Sequence, residues 1–286
     1  MSVALMYHAL HRDGDVSRIA AEDLPYAVAE SDFARQLDTL LELGLGERAG
    51  SAGGTRRDAL AAAAVAPAAG EPGIAVLGEA SGPAAPLLLT FDDGYASDCE
   101  IALPHLLERG LRARFFVTGG VVGRRRGFCD EDQVRALAAA GMEVGAHGQS
   151  HAFLDDLDED AALEELSASR ERLRWLGAGE VRSMSFPGGR WNRTTLALAR
   201  RVGYTSLFGS RLGTLAPAEL ARGCTADGAP LARVPVRRDT APEEFRRIVT
   251  LDRRWFARRR ALQASKHAAR RVLGNGIYHG LYKLLS

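Results

Sequence analysis

Two hydrophobic patterns alternate along this 286-residue chain. Short apolar runs stop abruptly at polar residues, as buried strands do. Between them, apolar residues return every three or four positions, as on the inner face of a helix. The first pattern predicts strands over Val3 to His8, Leu87 to Phe91, Arg114 to Val117, Met142 to Ala146, Val181 to Phe186, Tyr204 to Phe208 and Leu231 to Val236. The second predicts helices over Ser31 to Leu43, Ile101 to Arg109, Glu131 to Ala140, Asp158 to Leu176 and Thr194 to Val202. In the first of these helices Phe33, Leu37, Leu40 and Leu41 face inward, with a polar cap at Ser31-Asp32 and a stop at Gly44. Alternation of this kind argues for a parallel sheet, and about seven strands are enough for a barrel.

The chemistry sits where strands end, which is where α/β folds bind ligands. Leu87-Leu88-Leu89-Thr90-Phe91 runs into Asp92-Asp93-Gly94-Tyr95. Adjacent carboxylates past a buried strand are costly unless a cation or a proton relieves them, although Asp-Gly also simply starts turns and caps helices. Successive side chains leave a strand in different directions, so one aspartate can ligate a cation while the other stays free as a base. A second strand runs into His147-Gly148-Gln149-Ser150-His151. Two imidazoles and one carboxylate make three ligands, which leaves a fourth position for water, the pattern of a catalytic divalent site.

These stretches resemble the polysaccharide deacetylase family of the NodB-homology type. Thr90-Phe91-Asp92-Asp93-Gly94 is similar to its first motif, His147-Gly148-Gln149-Ser150-His151 to its second, and Ser185-Phe186-Pro187-Gly188-Gly189 sits where the third lies. The resemblance implies an α/β fold, a distorted (β/α)7 TIM-like barrel in a single domain. It implies a divalent metal on Asp93, His147 and His151, with Asp92 as general base and the backbone amide of Gly188 stabilising the oxyanion. Zinc suits that donor set best, and Ni2+ or Co2+ also fit it. Most members carry the histidine that protonates the leaving amine near the C-terminus, where this chain has no convincing copy. A circularly permuted branch acting on poly-N-acetylglucosamine places it near the N-terminus, and Leu5-Met6-Tyr7-His8 resembles that arrangement, so His8 is the candidate general acid. Tyr95, Pro187, Arg190 and Trp191 are the candidate substrate contacts, Trp191 as a sugar-stacking platform. The chain departs from the pattern in having Gly188 for the usual tyrosine and Ser185 for the arginine that steadies the base. Arg190 and Arg233 are the two candidates to replace that arginine. The fourth motif has no clear match, and Asp239 is the stand-in carboxylate.

Composition narrows the class. A content of 46% hydrophobic residues supports a large core, and a formal charge of +1 gives no reason to expect nucleic acid. Cys99, Cys129 and Cys224 are few, odd in number and widely spaced, and read as reduced thiols. Met1 leads into Val3 to His8 without a basic segment, and that run is too short for a signal peptide, which predicts a cytoplasmic protein. The expected organisation is a barrel over 1–240 with an Ala/Gly-rich insertion at 47–86, holding one short strand at Ile74 to Leu77, and a basic helical extension over 241–286. That extension interleaves Arg246, Arg247, Arg253, Arg254, Arg258, Arg259, Arg260, Lys266, Arg270 and Arg271 with Ile248, Trp255, Phe256 and Leu262. A cationic helix with aromatics suits a membrane headgroup layer or a lipid-linked sugar phosphate, and equally a solvated helix face. The expected activity is metal-assisted removal of N-acetyl groups from a sugar or polysaccharide in cell-surface or exopolysaccharide metabolism. The alternatives are hydrolysis of other non-peptide amides on the same barrel, and a degenerate carbohydrate-binding protein.

Overall fold

Apolar runs whose alternate residues can bury on both sides form the centre of the molecule. In the computed structural model, which describes residues 1–45 and 87–262, seven strands make one parallel sheet in the order β8-β7-β6-β5-β4-β1-β9. These are β1 (Val3–Tyr7), β4 (Leu87–Phe91), β5 (Arg114–Val117), β6 (Glu143–Ala146), β7 (Ser183–Ser185), β8 (Ser206–Phe208) and β9 (Val234–Pro235). A small parallel pair, β2 (Leu10–His11) with β3 (Val28–Ala29), lies outside the sheet. The first strand pairs with the last, Leu5 opposite Val234, as a permuted barrel requires. On its other side β1 pairs with β4 from Val3↔Leu87 to Tyr7↔Phe91.

The sheet curls until its edges meet. Leu231 forms a parallel bridge to Phe208 at the β8 edge, and three residues later the same segment pairs with β1 as β9. The segment from Leu231 to Pro235 thus stitches the two edges together, which gives the (β/α) barrel. The expected strand over Leu231 to Val236 is shortened to Val234–Pro235 because its first half serves the opposite edge and Pro235 has no N–H to donate.

Strand alternation sorts the core into two clusters. Leu5, Tyr7, Leu89, Phe91, Phe115 and Val117 point outward under the helices, where Tyr7, Phe91 and Phe115 stack with centroids 5.2 Å and 4.7 Å apart. Ala4, Leu88, Phe116, Phe208, Leu231 and Ala232 point inward and fill the barrel. Above that apolar layer the inward positions turn polar, and the site begins there.

The helices lie close to their expected ranges: Glu30–Glu42, Leu103–Glu108, Glu131–Ala139, Glu159–Trp175 and Arg193–Val202. Two starts differ. The first helix begins at Glu30 with Ala29 as an extended, uncapped residue, so Glu30 and Asp32 act on the helix dipole from the first turn instead of capping it. The second begins with a π-helical turn over Asp98–Ala102 ahead of the expected Ile101, and Pro104 then fits its first α turn. All three cysteines are free. No helix among the described residues is long and apolar enough to cross a membrane. The insertion at 47–86 with its strand at Ile74 to Leu77, and the tail beyond 262 with Lys266, Arg270 and Arg271, lie outside the described residues.

Candidate active site

After β4 the backbone turns left-handed at Asp93 (φ 79°) and Gly94 (φ 83°). Only glycine fits at position 94, because a Cβ there would stand 2.8 Å from Val117 Cγ1. This turn sends the two aspartates apart. Asp93 Oδ1 lies 3.2 Å from Nε2 of His147 and 3.2 Å from Nε2 of His151. Asp92, 3% exposed, faces the barrel interior.

The histidines are carried by the end of β6. The His147 N–H donates to Val117 O (3.0 Å), and its Nδ1 donates to Ser185 O (2.8 Å). A carbonyl can only accept, so Nδ1 carries a proton and Nε2 is the ring nitrogen that faces Asp93. His151 is brought back by the Gly148-Gln149-Ser150 turn and itself takes φ 65°. Glu165, on the helix Glu159–Trp175, pins that turn by accepting from the Gln149 and Ser150 N–H groups, both at 2.9 Å. One ligand atom from each of Asp93, His147 and His151 lies within 4.8 Å of the others. Two imidazole nitrogens and one carboxylate oxygen are the donors a first-row divalent cation takes, so the trio fits such an ion. Burial would raise the Asp93 carboxyl, but its bonds to His147 and His151 hold it well below its ordinary value. Burial likewise lowers His147, and Asp92 and Asp93 more than offset this.

Asp92 is held by a residue 141 positions away. Arg233, 1% exposed, donates from Nη1 to Asp92 Oδ1 (2.6 Å) and from Nη2 to Asp92 Oδ2 (2.7 Å). Its remaining N–H groups go to Gly209 O (2.8 Å), Thr90 Oγ1 (3.1 Å) and Ser185 Oγ (2.6 Å), so every donor of the fork is satisfied. The guanidinium sits over Phe116 and Phe208, which carry it on the apolar layer below. Ser185 also donates to Asp92 Oδ2 at 3.0 Å. Burial pushes the Asp92 carboxyl up, the Arg233 charge pulls it down further, and the net value is below the ordinary one. Of the two arginines weighed as replacements, Arg233 therefore contacts Asp92. Arg190 instead pairs with Asp155 (3.0 Å) and Asp156.

His8, just past β1, stacks near Tyr26 with centroids 5.0 Å apart, and its Nδ1 has no partner. Burial lowers its pKa most, and the charges of Asp93, Asp92, Arg233 and His147 all act on it, so it belongs to the same cluster. Gly188 (φ 61°) and Gly189 (φ 67°) end β7 in a left-handed pair, and Pro187 beside them is buried. Tyr95 is buried and its hydroxyl donates to Asp23 at 2.5 Å. Trp191 is 37% exposed at the rim. Asp239 is exposed in the turn after β9 and does not contact His8. Two groups had no motif to announce them: Glu165, which is one of many acidic residues on its helix, and Asp98. Asp98 is fully buried in the π-helical turn with neither carboxylate oxygen partnered. Burial, then the charges of Asp93 and Asp92, push it well above its ordinary value.

The parallel (β/α) barrel thus carries a carboxylate and two imidazoles at its mouth, with a second, separately tethered carboxylate beside them. Residues 80–207 match the model of the polysaccharide deacetylase family. The chain is 30% identical over 118 residues to YxkH of Bacillus subtilis (strain 168), covering 41% of this chain and 42% of that one. It is also 30% identical over 129 residues to an uncharacterized 30.6 kDa protein of Geobacillus stearothermophilus, covering 43% and 46%. The matches therefore span less than half the length of either curated relative. In fold the chain is similar to the Streptococcus pyogenes deacetylase PplD, solved in complex with acetate, with a TM-score of 0.66 and 21% identity over 86% of this chain and 97% of that one. It is similar also to IcaB from Ammonifex degensii, with a TM-score of 0.61 and 24% identity over 89% and 96%.

Proposed function

We propose that this protein is a metal-dependent hydrolase that removes N-acetyl groups from an N-acetylated sugar or polysaccharide, in cell-surface or exopolysaccharide metabolism. The observation that carries the reading is the division of labour between neighbouring aspartates: Asp93 converges with His147 and His151, while Asp92 is turned away from them and held by Arg233.

In this reading Asp93, His147 and His151 hold a divalent ion, Zn2+ first and Ni2+ or Co2+ also compatible. When bound, the ion polarises the amide carbonyl and lowers the pKa of its water. Asp92 takes a proton from the attacking water, and its lowered pKa keeps it ionised and ready to accept. Arg233 and Ser185 fix the direction of its oxygens. The Gly188 amide donates to the developing oxyanion. His8 gives a proton to the leaving amine. Arg190 and Trp191 meet the sugar from the rim, while buried Pro187 and Tyr95 shape the wall behind it.

From Pro242 onward the sequence has eleven basic and three acidic residues. Arg253, Arg254, Arg258, Arg259 and Arg260 are exposed, which supports contact with an anionic surface such as lipid headgroups or a lipid-linked glycan.

Acetate release from N-acetylglucosamine oligomers by the metal-loaded protein tests the reading. Asp92→Asn should retain the metal and lose turnover by roughly 10²–10⁴-fold. Metal analysis alongside the acetate assay checks both halves, and an active Asp92→Asn protein would remove Asp92 from the role.

A further inference from the structure

We infer that Phe153 is the platform on which the sugar ring of the substrate rests, and that it selects a pyranose with an unobstructed C–H face; this rests on the deacetylase reading above. Phe153 lies two residues beyond His151, with the two ring centroids 6.5 Å apart, and it is 42% exposed. A large apolar ring left in water beside the cation trio is costly unless something covers it in the working complex. Of the other exposed aromatics among the described residues, Trp191 is 37% exposed, and Trp175 stands at the C-terminal end of the helix Glu159–Trp175, which returns from the mouth of the barrel to its far end.

The ring is held in place from its back and edge. The Arg190 guanidinium lies over it, 4.8 Å from the centroid, and is itself fixed by Asp155 and Asp156. At the edge, a Cβ on Gly188 would stand 2.7 Å from Phe153 Cε1, so the ring takes up the space that any side chain at 188 would need. A ring fixed in this way loses little freedom on binding. Its remaining face is electron-rich and suits the partly positive C–H groups on one side of a pyranose whose hydroxyls lie equatorially. Those hydroxyls then point outward past the ring edge on the side of Asp156, whose side chain is 56% exposed. Contact with Phe153 would set an acetamido group beside His151 without using any of the three cation donors.

Steady-state acetate release from an N-acetylglucosamine tetramer tests this, with tetramer binding followed in parallel by calorimetry. Phe153→Ala should raise KM and the dissociation constant by roughly 10-fold or more, the loss falling on KM rather than kcat. Phe153→Tyr should restore both, because it keeps the ring. If Phe153→Ala melts early, Phe153→Leu, which keeps apolar bulk without a ring, should show the same loss. Unchanged KM and binding in the Ala and Leu variants would overturn the assignment of Phe153. If the unsubstituted protein releases no acetate, the deacetylase reading falls, and equal tetramer binding with and without the ring then overturns the platform separately.

Discussion

The half of the site around Asp93 and the half around Asp92 are assembled in opposite ways. Asp93, His147 and His151 come from two strand ends, each within a few residues of a glycine turn that aims it. Asp92 depends on Arg233, a residue 141 positions later just ahead of β9, and on Ser185 at the end of β7. The first kind of construction needs only the local backbone to be right. The second needs the barrel closed. The two halves should therefore fail independently, and each substitution below asks whether they do.

Removing Arg233 is the harshest test. Arg233→Ala leaves a buried carboxylate without its counter-charge, which costs about 3–5 kcal/mol of stability. Denaturant unfolding should show that loss, while Zn2+ affinity measured by calorimetry changes far less. Adding Ser185→Arg to that variant should recover part of both stability and turnover, because the new guanidinium starts where Ser185 already touches Asp92. Failure of the double variant would mean that the path from Arg233, and not only the charge, matters.

Glu165→Ala should do the reverse. Without the acceptor for Gln149 and Ser150 N–H, the turn that returns His151 loosens, and Zn2+ affinity should fall about 10-fold or more. Global stability should barely move, since the Asp92 network is untouched.

The smallest effect lies between the two halves, at Asp98. Its folded-state pKa is above that of the unfolded chain, so the native state keeps a proton that the unfolded chain releases. The stability that Asp98 contributes is therefore fully present below 3.8 and is lost as pH rises from there through the raised value. Asp98→Asn removes this term. Its advantage in unfolding midpoint should be absent in acid and grow toward neutral pH, and an advantage independent of pH would show that Asp98 is not protonated in the fold.

The same contrast explains what could be read from the sequence. The strand that bears Asp92 and Asp93 and the strand before His147 were legible because each is a short apolar run ending in its own chemistry. The left-handed turn at Asp93-Gly94 was visible as Asp-Gly. Arg233 could be proposed only as one of two arginines, since nothing local separates a buried arginine from a surface one. Its neighbour in that choice, Arg190, became tied to Asp155 and Asp156 through a contact spanning 35 residues. Glu165 and Phe153 carried no signal at all, because a helix acid and a loop aromatic acquire meaning only from what packs beside them.

The last strand has a further consequence for how the protein is made. Leu231 to Pro235 both fastens the barrel and carries Arg233. On the ribosome, a chain that has emerged only as far as Pro230 already contains Asp93, His147 and His151, yet Asp92 still lacks its counter-charge. Closing the barrel is thus also the step that brings Arg233 to Asp92.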